Sequence, residues 1–145
     1  MSETPSTPDI FSSKGLRRTP IREAVLSVLL GQGRPLSNAE VRRSVGKRMD
    51  RVTLYRTLET LRGAGLVHQI LGKDGIWRYG VHASGALDCP ANHPHFLCLE
   101  CGKMECLPAQ TLPHVEVPTR YAVKGKQLVV YGCCGACRKS SSRRK

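Results

Sequence analysis

Apolar residues recur at helical spacing in three stretches of the first half of the chain. The first stretch opens on Thr19, a helix-capping residue, followed by Pro20, and it ends at Gly33. The second opens on Ser37 with Glu40 three residues later, which is the pattern of a capping box before a short helix. Because apolar side chains repeat every three to four residues, both helices are expected to bury one face.

The third helical stretch begins at Asp50 and separates an apolar face from a basic one. Leu54, Leu58 and Leu61 fall at i, i+4 and i+7, so they are expected to face a core. The outward face then carries Arg51, Tyr55, Arg56 and Arg62.

Two further apolar runs, residues 66–71 and 76–81, flank the four residues Gly-Lys-Asp-Gly at 72–75. Alternating runs on either side of a glycine-containing turn predict a β-hairpin. Three helices followed by a hairpin predict a winged helix-turn-helix domain over residues 14–81.

The rest of the chain divides by composition. Residues 1–13 are rich in Ser, Thr and Pro and are expected to form a flexible arm. Residues 82–92 lack periodicity and are predicted to be a linker or hinge. Residues 93–137 contain two predicted strands, 95–99 and 127–131, and form a second small domain. Residues 138–145 are basic and serine-rich, and we expect a disordered tail.

The net charge indicates which class of molecule the protein binds. The 145 residues include 23 Lys and Arg against 11 Asp and Glu, a formal charge of +12. Such a surface favours a polyanion, because binding releases counterions condensed on phosphates. Nucleic acid is the favoured partner and an anionic membrane the alternative. No signal peptide or membrane span is recognisable, so we expect a cytoplasmic protein without a membrane partner.

Cysteine spacing indicates a metal site. The chain has seven cysteines, an odd number that disfavours a disulfide framework in a reducing compartment. Two pairs with two intervening residues are separated by 32 residues, and they are Cys98, Cys101, Cys134 and Cys137. Two such turns can direct four thiolates at one Zn²⁺ in the closed tetrahedral arrangement of structural sites. The alternative is four free or redox-active thiols, and Cys133 could compete with Cys134.

Several motifs together resemble the ferric uptake regulator family over about residues 14–137. The most specific are Val52-Thr53-Leu54-Tyr55-Arg56-Thr57-Leu58 and the block His93-x-His95-x2-Cys98-x2-Cys101-Gly102. The resemblance implies a homodimeric transcriptional regulator that binds an A/T-rich inverted repeat when loaded with a sensed metal. It also implies a structural zinc on the four cysteines. The predicted fold class is therefore α+β, with an N-terminal winged-helix domain before a small α/β dimerisation domain.

The resemblance assigns the DNA-contacting residues to the winged-helix domain, residues 14–81, which we call the head. With the third helix in the major groove of double-stranded DNA, Tyr55 would touch a thymine methyl, and Arg56 and Thr53 would contact base edges or phosphates. Further basic residues that face outward or precede the first helix can reach the backbone or a narrow minor groove, namely Lys14, Arg17, Arg18, Arg22 and Arg51.

A second, regulatory metal site needs ligands on both sides of the linker. The candidates are His68, His82, His93 and His95, with Cys89 or Cys106 able to replace one of them. The chain departs from the iron-sensing pattern, since Pro35, Gly80 and Cys106 stand where that pattern has His, Glu and Glu. Zinc-sensing members resemble it more closely, and imidazole and thiolate both suit zinc.

The sequence therefore predicts a zinc-responsive repressor of zinc uptake, with Zn²⁺ in both sites and Fe²⁺ possible in the second. An iron-, nickel- or peroxide-sensing regulator of the same family is the nearest alternative. A zinc-ribbon enzyme or nucleic-acid-binding module is a different class. An enzyme is disfavoured because no open three-ligand zinc with a neighbouring glutamate base is evident. No small-molecule substrate is expected.

Overall fold

The structure, a computed structural model, describes residues 7–46, 49–81, 93–107 and 110–142. The chain divides into two compact units, Met1–Pro90 and Ala91–Lys145. The first contains α1 (Thr7–Ser13), α2 (Pro20–Gln32), β1 (Leu36–Ser37), α3 (Asn38–Val45), α4 (Arg51–Gly63), β2 (His68–Leu71) and β3 (Trp77–Gly80). The second contains β4 (His95–Cys98), β5 (Met104–Cys106), β6 (Val129–Gly132) and α5 (Gly135–Ser142). The linker predicted at 82–92 lies outside the described residues.

Local capping fixes the starts of the predicted helices α2 and α3. The Thr19 hydroxyl accepts the Arg22 N–H at 3.3 Å at the start of α2. Before α3, the Ser37 N–H donates to the Glu40 carboxylate at 2.8 Å, and the Glu40 N–H donates to the Ser37 hydroxyl at 3.2 Å. Each such cap contributes about 1 kcal/mol, so these helices begin where the sequence predicted.

The core of the first unit lies between the three helices and the hairpin. Leu54, Leu58 and Leu61 are fully buried, as predicted, and they pack with apolar residues of α2. The hairpin pairs β2 with β3, and β3 also pairs with β1, which the sequence did not predict. Since β1 leads directly into α3, the sheet ties the hairpin to the helices, and the unit is a winged helix-turn-helix.

The prediction of a flexible arm over 1–13 is wrong for residues 7–13, which form α1. Ile10 and Phe11 are 3% and 1% exposed and belong to the core of the first unit. The Ser13 hydroxyl donates to the Ile10 carbonyl at 2.8 Å, and the Leu16 N–H donates to the Phe11 carbonyl at 3.1 Å. Burial of two adjacent apolar side chains outweighs the polar composition around them. Residues 1–6 lie outside the described part of the chain.

The second unit is a three-stranded sheet in the order β5-β4-β6. β4 pairs antiparallel with β5 and parallel with β6, so both predicted strands are present as neighbours. The predicted disordered tail is wrong for residues 138–142, because α5 runs from Gly135 to Ser142. The Arg138 N–H donates to the Cys134 carbonyl at 2.9 Å, so the second cysteine pair leads into a helical turn. Within the described residues, no helix has the length and apolar character needed to cross a bilayer.

The burial of α1 gives a testable prediction. Phe11→Ala should lower the free energy of unfolding of the first unit by about 3–5 kcal/mol, because the substitution leaves a cavity in a small core. Ser12→Ala, at an exposed position of the same helix, should change it by less than about 0.5 kcal/mol. Urea unfolding followed by circular dichroism measures both. Equal stability of the two variants would contradict the packing of α1 on the head.

Candidate metal and DNA-binding sites

Four cysteines of the second unit converge on one point. Cys98 ends β4, Cys101 follows in the turn to β5, and Cys134 and Cys137 lie at the start of α5. Their Sγ atoms all lie within 4.8 Å of one another, and Cys101 Sγ is 3.9 Å from Cys134 Sγ. No described cysteine forms a disulfide. The structure therefore brings together the two pairs that the spacing predicted.

Backbone amides prepare one sulfur of this cluster to bind a cation. The N–H groups of Cys101 and Cys134 point at Cys98 Sγ at 3.5 and 3.3 Å. These contacts lower the pKa of the Cys98 thiol to about 6, so it is mainly thiolate at neutral pH. A hydrogen bond with the Cys134 sulfur raises the pKa of Cys137, which retains its proton when no cation competes.

The cluster fits a tetrahedral zinc ion. A Zn–S bond of about 2.3 Å places tetrahedral sulfur ligands about 3.8 Å apart, close to the 3.9 Å between Cys101 and Cys134. Cys133 does not belong to this set, and its thiol makes a 3.7 Å contact with the Cys134 carbonyl instead. Burial raises the pKa of Cys133, which disfavours its thiolate. Zinc bound here would cross-link the turn after β4 to the start of α5.

Two histidines precede this cluster in the second unit, His95 as the first residue of β4 and His93 two residues before it. His93 and His95 are 5% and 1% exposed, and their ring centroids lie 4.7 Å apart at an angle of 47°. The β4–β5 ladder places Cys106 directly opposite His95. Two of the candidate regulatory ligands, His95 and Cys106, are therefore paired in one small sheet, and the third, His93, lies two residues before it. All three are nitrogen or sulfur donors.

The remaining described candidate, His68, belongs to the first unit. It is the first residue of β2, in the β2–β3 hairpin that forms the wing. It pairs with Gly80 across the β2–β3 ladder. A methyl group at Gly80 would lie 3.4 Å from the His68 ring atoms Cε1 and Nε2, and 3.2 Å from Pro35 Cγ. A side chain at residue 80 would therefore contact the imidazole and require a small shift of Pro35. The other two candidates, His82 and Cys89, lie outside the described residues.

The exposed face of α4 carries the predicted DNA-contacting side chains. Arg51, Tyr55 and Arg56 are exposed, and Tyr55 retains 55% of its surface. Thr53 is already engaged, because its N–H and hydroxyl both donate to the Asp50 carboxylate. These contacts lower the pKa of Asp50 and keep it an anionic helix cap.

The basic residues near α2 differ in their exposure and in the contacts that they make within the protein. Arg17 is exposed, and its carbonyl accepts a 2.7 Å hydrogen bond from the Arg22 guanidinium. Arg18 forms an ion pair with Glu23 at 2.8 Å. Lys14 is half-buried and makes contacts within the protein. Of these four predicted DNA contacts, Arg17 and Arg18 are exposed, whereas Lys14 and Arg22 are partly buried.

Sequence reasoning missed a cavity beside Tyr55. It lies between α3, α4 and β3, and both Arg42 and Trp77 line it. These residues are separated by more than thirty positions along the chain, and neither belongs to a recognisable motif. Only the presence of the chain's single tryptophan in a wing strand hinted at a special role.

A winged helix-turn-helix head followed by a sheet with a four-thiolate site defines a DNA-binding regulator with metal sites. Residues 13–127 match the ferric uptake regulator family. The chain is 32% identical to the ferric uptake regulation protein of Bacillus subtilis, over 86% of this chain and 87% of that protein. It is 24% identical to the peroxide-responsive repressor PerR of Staphylococcus aureus, over 85% and 83% of the two chains.

Comparison with solved structures supports the same fold. A zinc uptake regulator complexed with zinc and DNA superposes with a TM-score of 0.66 at 20% identity, covering 93% of this chain and 92% of the other. The Helicobacter pylori ferric uptake regulator gives a TM-score of 0.61 at 22% identity, covering 95% and 97%. The chain belongs to the ferric uptake regulator family. It is thus a metal-responsive transcriptional regulator of a class that acts as DNA-binding dimers, and it is not an enzyme.

Adjacent cysteines offer a matched test of the four-cysteine site. Cys134→Ser should lose the zinc that the wild-type protein retains after dialysis against a weak chelator, because three thiolates no longer close the site. Its second unit should also unfold and release the dimer, since structural zinc contributes about 10–16 kcal/mol to folding in small peptides. Cys133→Ser should behave like wild type. Metal analysis and analytical ultracentrifugation measure both effects, and a dimeric Cys134→Ser protein with full zinc content would refute the assignment.

Proposed function

We propose that this protein is a zinc-responsive repressor of zinc uptake that binds A/T-rich inverted repeats as a homodimer in the cytoplasm. The observation that carries this proposal is the donor set of the candidate regulatory ligands. His93, His95 and Cys106 offer only nitrogen and sulfur, and His68 adds another imidazole. Such donors suit zinc, whereas carboxylates and waters suit manganese and other hard cations.

The wing supports the same choice of metal. By resemblance, Pro35 and Gly80 stand where iron-sensing members carry His and Glu. Here Gly80 lies next to both Pro35 and the His68 imidazole, since a Cβ at residue 80 would lie within 3.4 Å of each. A glutamate at residue 80 would meet Pro35 more closely than an ordinary contact allows and would lie against His68. The replacement of both residues is therefore consistent with a site in which His68 serves as a ligand.

The proposed regulatory site comprises His68, His93 and His95, together with His82 and with Cys89 or Cys106 as alternatives. His68 belongs to the first unit, and His93 and His95 belong to the second. A metal that binds ligands from both units would restrict the angle between them. Two recognition helices must reach major grooves about 34–36 Å apart, or a multiple of that. Restricting the angle would therefore raise the fraction of protein that can bind an operator.

The surface of the second unit supports a dimer. Its buried apolar side chains are few, while Leu99, Val130 and Tyr131 are each about half exposed. Val130 and Tyr131 are consecutive residues of β6, which is an edge strand, so both faces of that edge present apolar surface. A second copy covering this edge would bury surface that a small monomeric unit leaves in water.

An iron-sensing regulator is the second candidate, because the Bacillus subtilis relative at 32% identity is a ferric uptake regulation protein. The two candidates predict different responses to metal. Zinc should stimulate operator binding at a lower free concentration than iron(II) if the site consists of imidazole and thiolate ligands. Stimulation by iron(II) alone, with zinc inert, would establish the second candidate.

Histidine substitutions test the regulatory site. His95→Ala should raise the free zinc concentration needed for DNA binding by about 100-fold or more, since even outer contacts to metal ligands are worth about 10–100-fold. The dimer and its structural zinc should persist. His114→Ala, an exposed histidine of the second unit, is the matched control. Fluorescence anisotropy in zinc-buffered solution measures binding to a duplex selected from a random pool, and a wild-type response from His95→Ala would exclude it as a ligand.

Two substitutions in the head separate base recognition from backbone contact. Tyr55→Ala should reduce the preference for the selected duplex over random DNA, because the ring contacts a base rather than a phosphate. Arg22→Ala should weaken both duplexes to a similar extent and reduce the salt slope by about one unit. Titrations at several salt concentrations measure both effects. An equal loss on both duplexes for Tyr55→Ala would remove Tyr55 from base recognition.

A further inference from the structure

The positive charge of the chain is not confined to the head. Residues 91–145, the second unit, contain nine Lys and Arg against three Glu, which is half of the net charge of +12. After Glu116 the chain contains eight Lys and Arg and no acidic residue. All the DNA contacts predicted from the sequence lie in the head, so the charge of the second unit has no assigned partner.

This charge is densest at α5 and in the residues that follow it. Arg138 and Lys139 are exposed in α5, and Arg143, Arg144 and Lys145 come after the helix in sequence. The remaining three of the last eight residues are serines. Blocks of like charge at a chain end are often interaction segments, and both guanidinium and hydroxyl groups are common donors to phosphate.

Contacts within the protein do not account for this charge. Arg138 forms no ion pair in the described part of the chain, whereas the head pairs several arginines with carboxylates, as in Arg34–Glu40 and Arg62–Glu59. Lys139 lies in the last turn of α5, where a cation interacts favourably with the helix dipole. That role explains one of the five basic residues and leaves the others available to a partner.

The four-cysteine site anchors the start of this basic segment. Cys134 immediately precedes α5, Cys137 lies within it, and the Arg138 N–H donates to the Cys134 carbonyl at 2.9 Å. A metal bound by the cysteines would therefore hold the backbone of Arg138 in place. A segment that is ordered in advance loses less conformational entropy on binding than a free tail does.

The composition of α5 favours nucleic acid over a membrane surface. A helix that lies in a membrane interface needs large apolar side chains on one face. The sequence of α5 is Gly-Ala-Cys-Arg-Lys-Ser-Ser-Ser, which contains none. DNA is also the polyanion that regulators of this family bind.

We propose that α5 and the basic residues after it form a second contact with the phosphate backbone of DNA, separate from the contacts of the head. The inference rests on the proposed function, because the head brings the protein to a duplex. Arg138 and Lys139 donate to phosphate oxygens in charge-assisted hydrogen bonds, and the contact reads no sequence. Because it depends on the four-cysteine site and not on the regulatory site, it holds the protein on random DNA when the sensed metal is absent.

Charge substitutions in the full-length, zinc-loaded protein test this contact. Arg138→Gln should weaken the selected and random duplexes by a similar factor and reduce the slope of log K against log salt by about 0.9, the value for one phosphate contact. Arg138→Gln/Lys139→Gln should reduce the slope by about 1.8. Lys103→Gln removes one exposed charge of the same unit, near Glu100 and Glu105, and should leave the slope unchanged. At free zinc concentrations too low for a preference between the duplexes, the effect of Arg138→Gln on random DNA should remain.

Metal analysis and ultracentrifugation separate this contact from a structural role of Arg138. Arg138→Gln should keep the zinc and the dimer of the wild type. Loss of zinc with an unchanged salt slope would make Arg138 a counterion of the four-cysteine site and overturn the proposal. Arg143→Gln/Arg144→Gln removes two charges further from the cysteines in sequence, and a reduced slope in this variant with full zinc content would support the contact independently.

The remaining outcomes distinguish the partner and the two proposals. Binding to phosphatidylserine vesicles that Arg138→Gln/Lys139→Gln abolishes, with wild-type DNA affinity, would assign α5 to an anionic membrane instead. Wild-type affinity and salt slope of that variant on both duplexes would overturn the second contact and leave the proposed function intact. A zinc-loaded wild-type protein that binds no duplex would overturn both.

Discussion

The four-thiolate cluster is the constraint on which the second unit depends. The hydrophobic core of the chain lies in the first unit, and the second buries little beyond Leu97, Cys98 and Met104 among its described apolar residues. A sheet of three short strands with so little core is marginal in water. A metal ion bound by the four cysteines would join the β4 turn to α5 and supply the missing cross-link. Because Cys98 ends β4, the same cross-link would also fix the strand that carries His95.

The order of these elements along the chain connects stability with metal sensing. His93 and His95 lie five and three residues before Cys98 on a continuous segment. Cys106 is held opposite His95 by the β4–β5 ladder. Loss of the four-thiolate site would therefore misplace the candidate regulatory ligands as well. Loss of a regulatory histidine, by contrast, would leave the cross-link in place, so the two kinds of metal site can be separated experimentally.

Local features were predictable from the sequence, and non-local ones were not. Helix starts at Thr19, Ser37 and Asp50 depend on capping contacts within three residues, so the sequence contains the whole signal. The spacing within each of the two cysteine pairs is likewise visible in the sequence. The burial of α1, the parallel pairing of β4 with β6, and the cavity beside Tyr55 depend on residues far apart in sequence. No local pattern encodes such contacts, and the serine-rich composition around Phe11 gave the opposite indication.

The two candidate metal sites differ in where their ligands come from. All four cysteines belong to one unit, so a metal bound there would stabilise that unit alone. Ligands divided between two units would instead convert binding free energy into a change of orientation. Shifting a two-state equilibrium from 1:99 to 99:1 requires about 5.5 kcal/mol of differential binding. Structural zinc binds with about 10–16 kcal/mol in peptides, so a regulatory site can be considerably weaker than the structural one and still switch the protein. A weaker site is also the one whose occupancy varies with the free metal concentration, which is what a sensor requires.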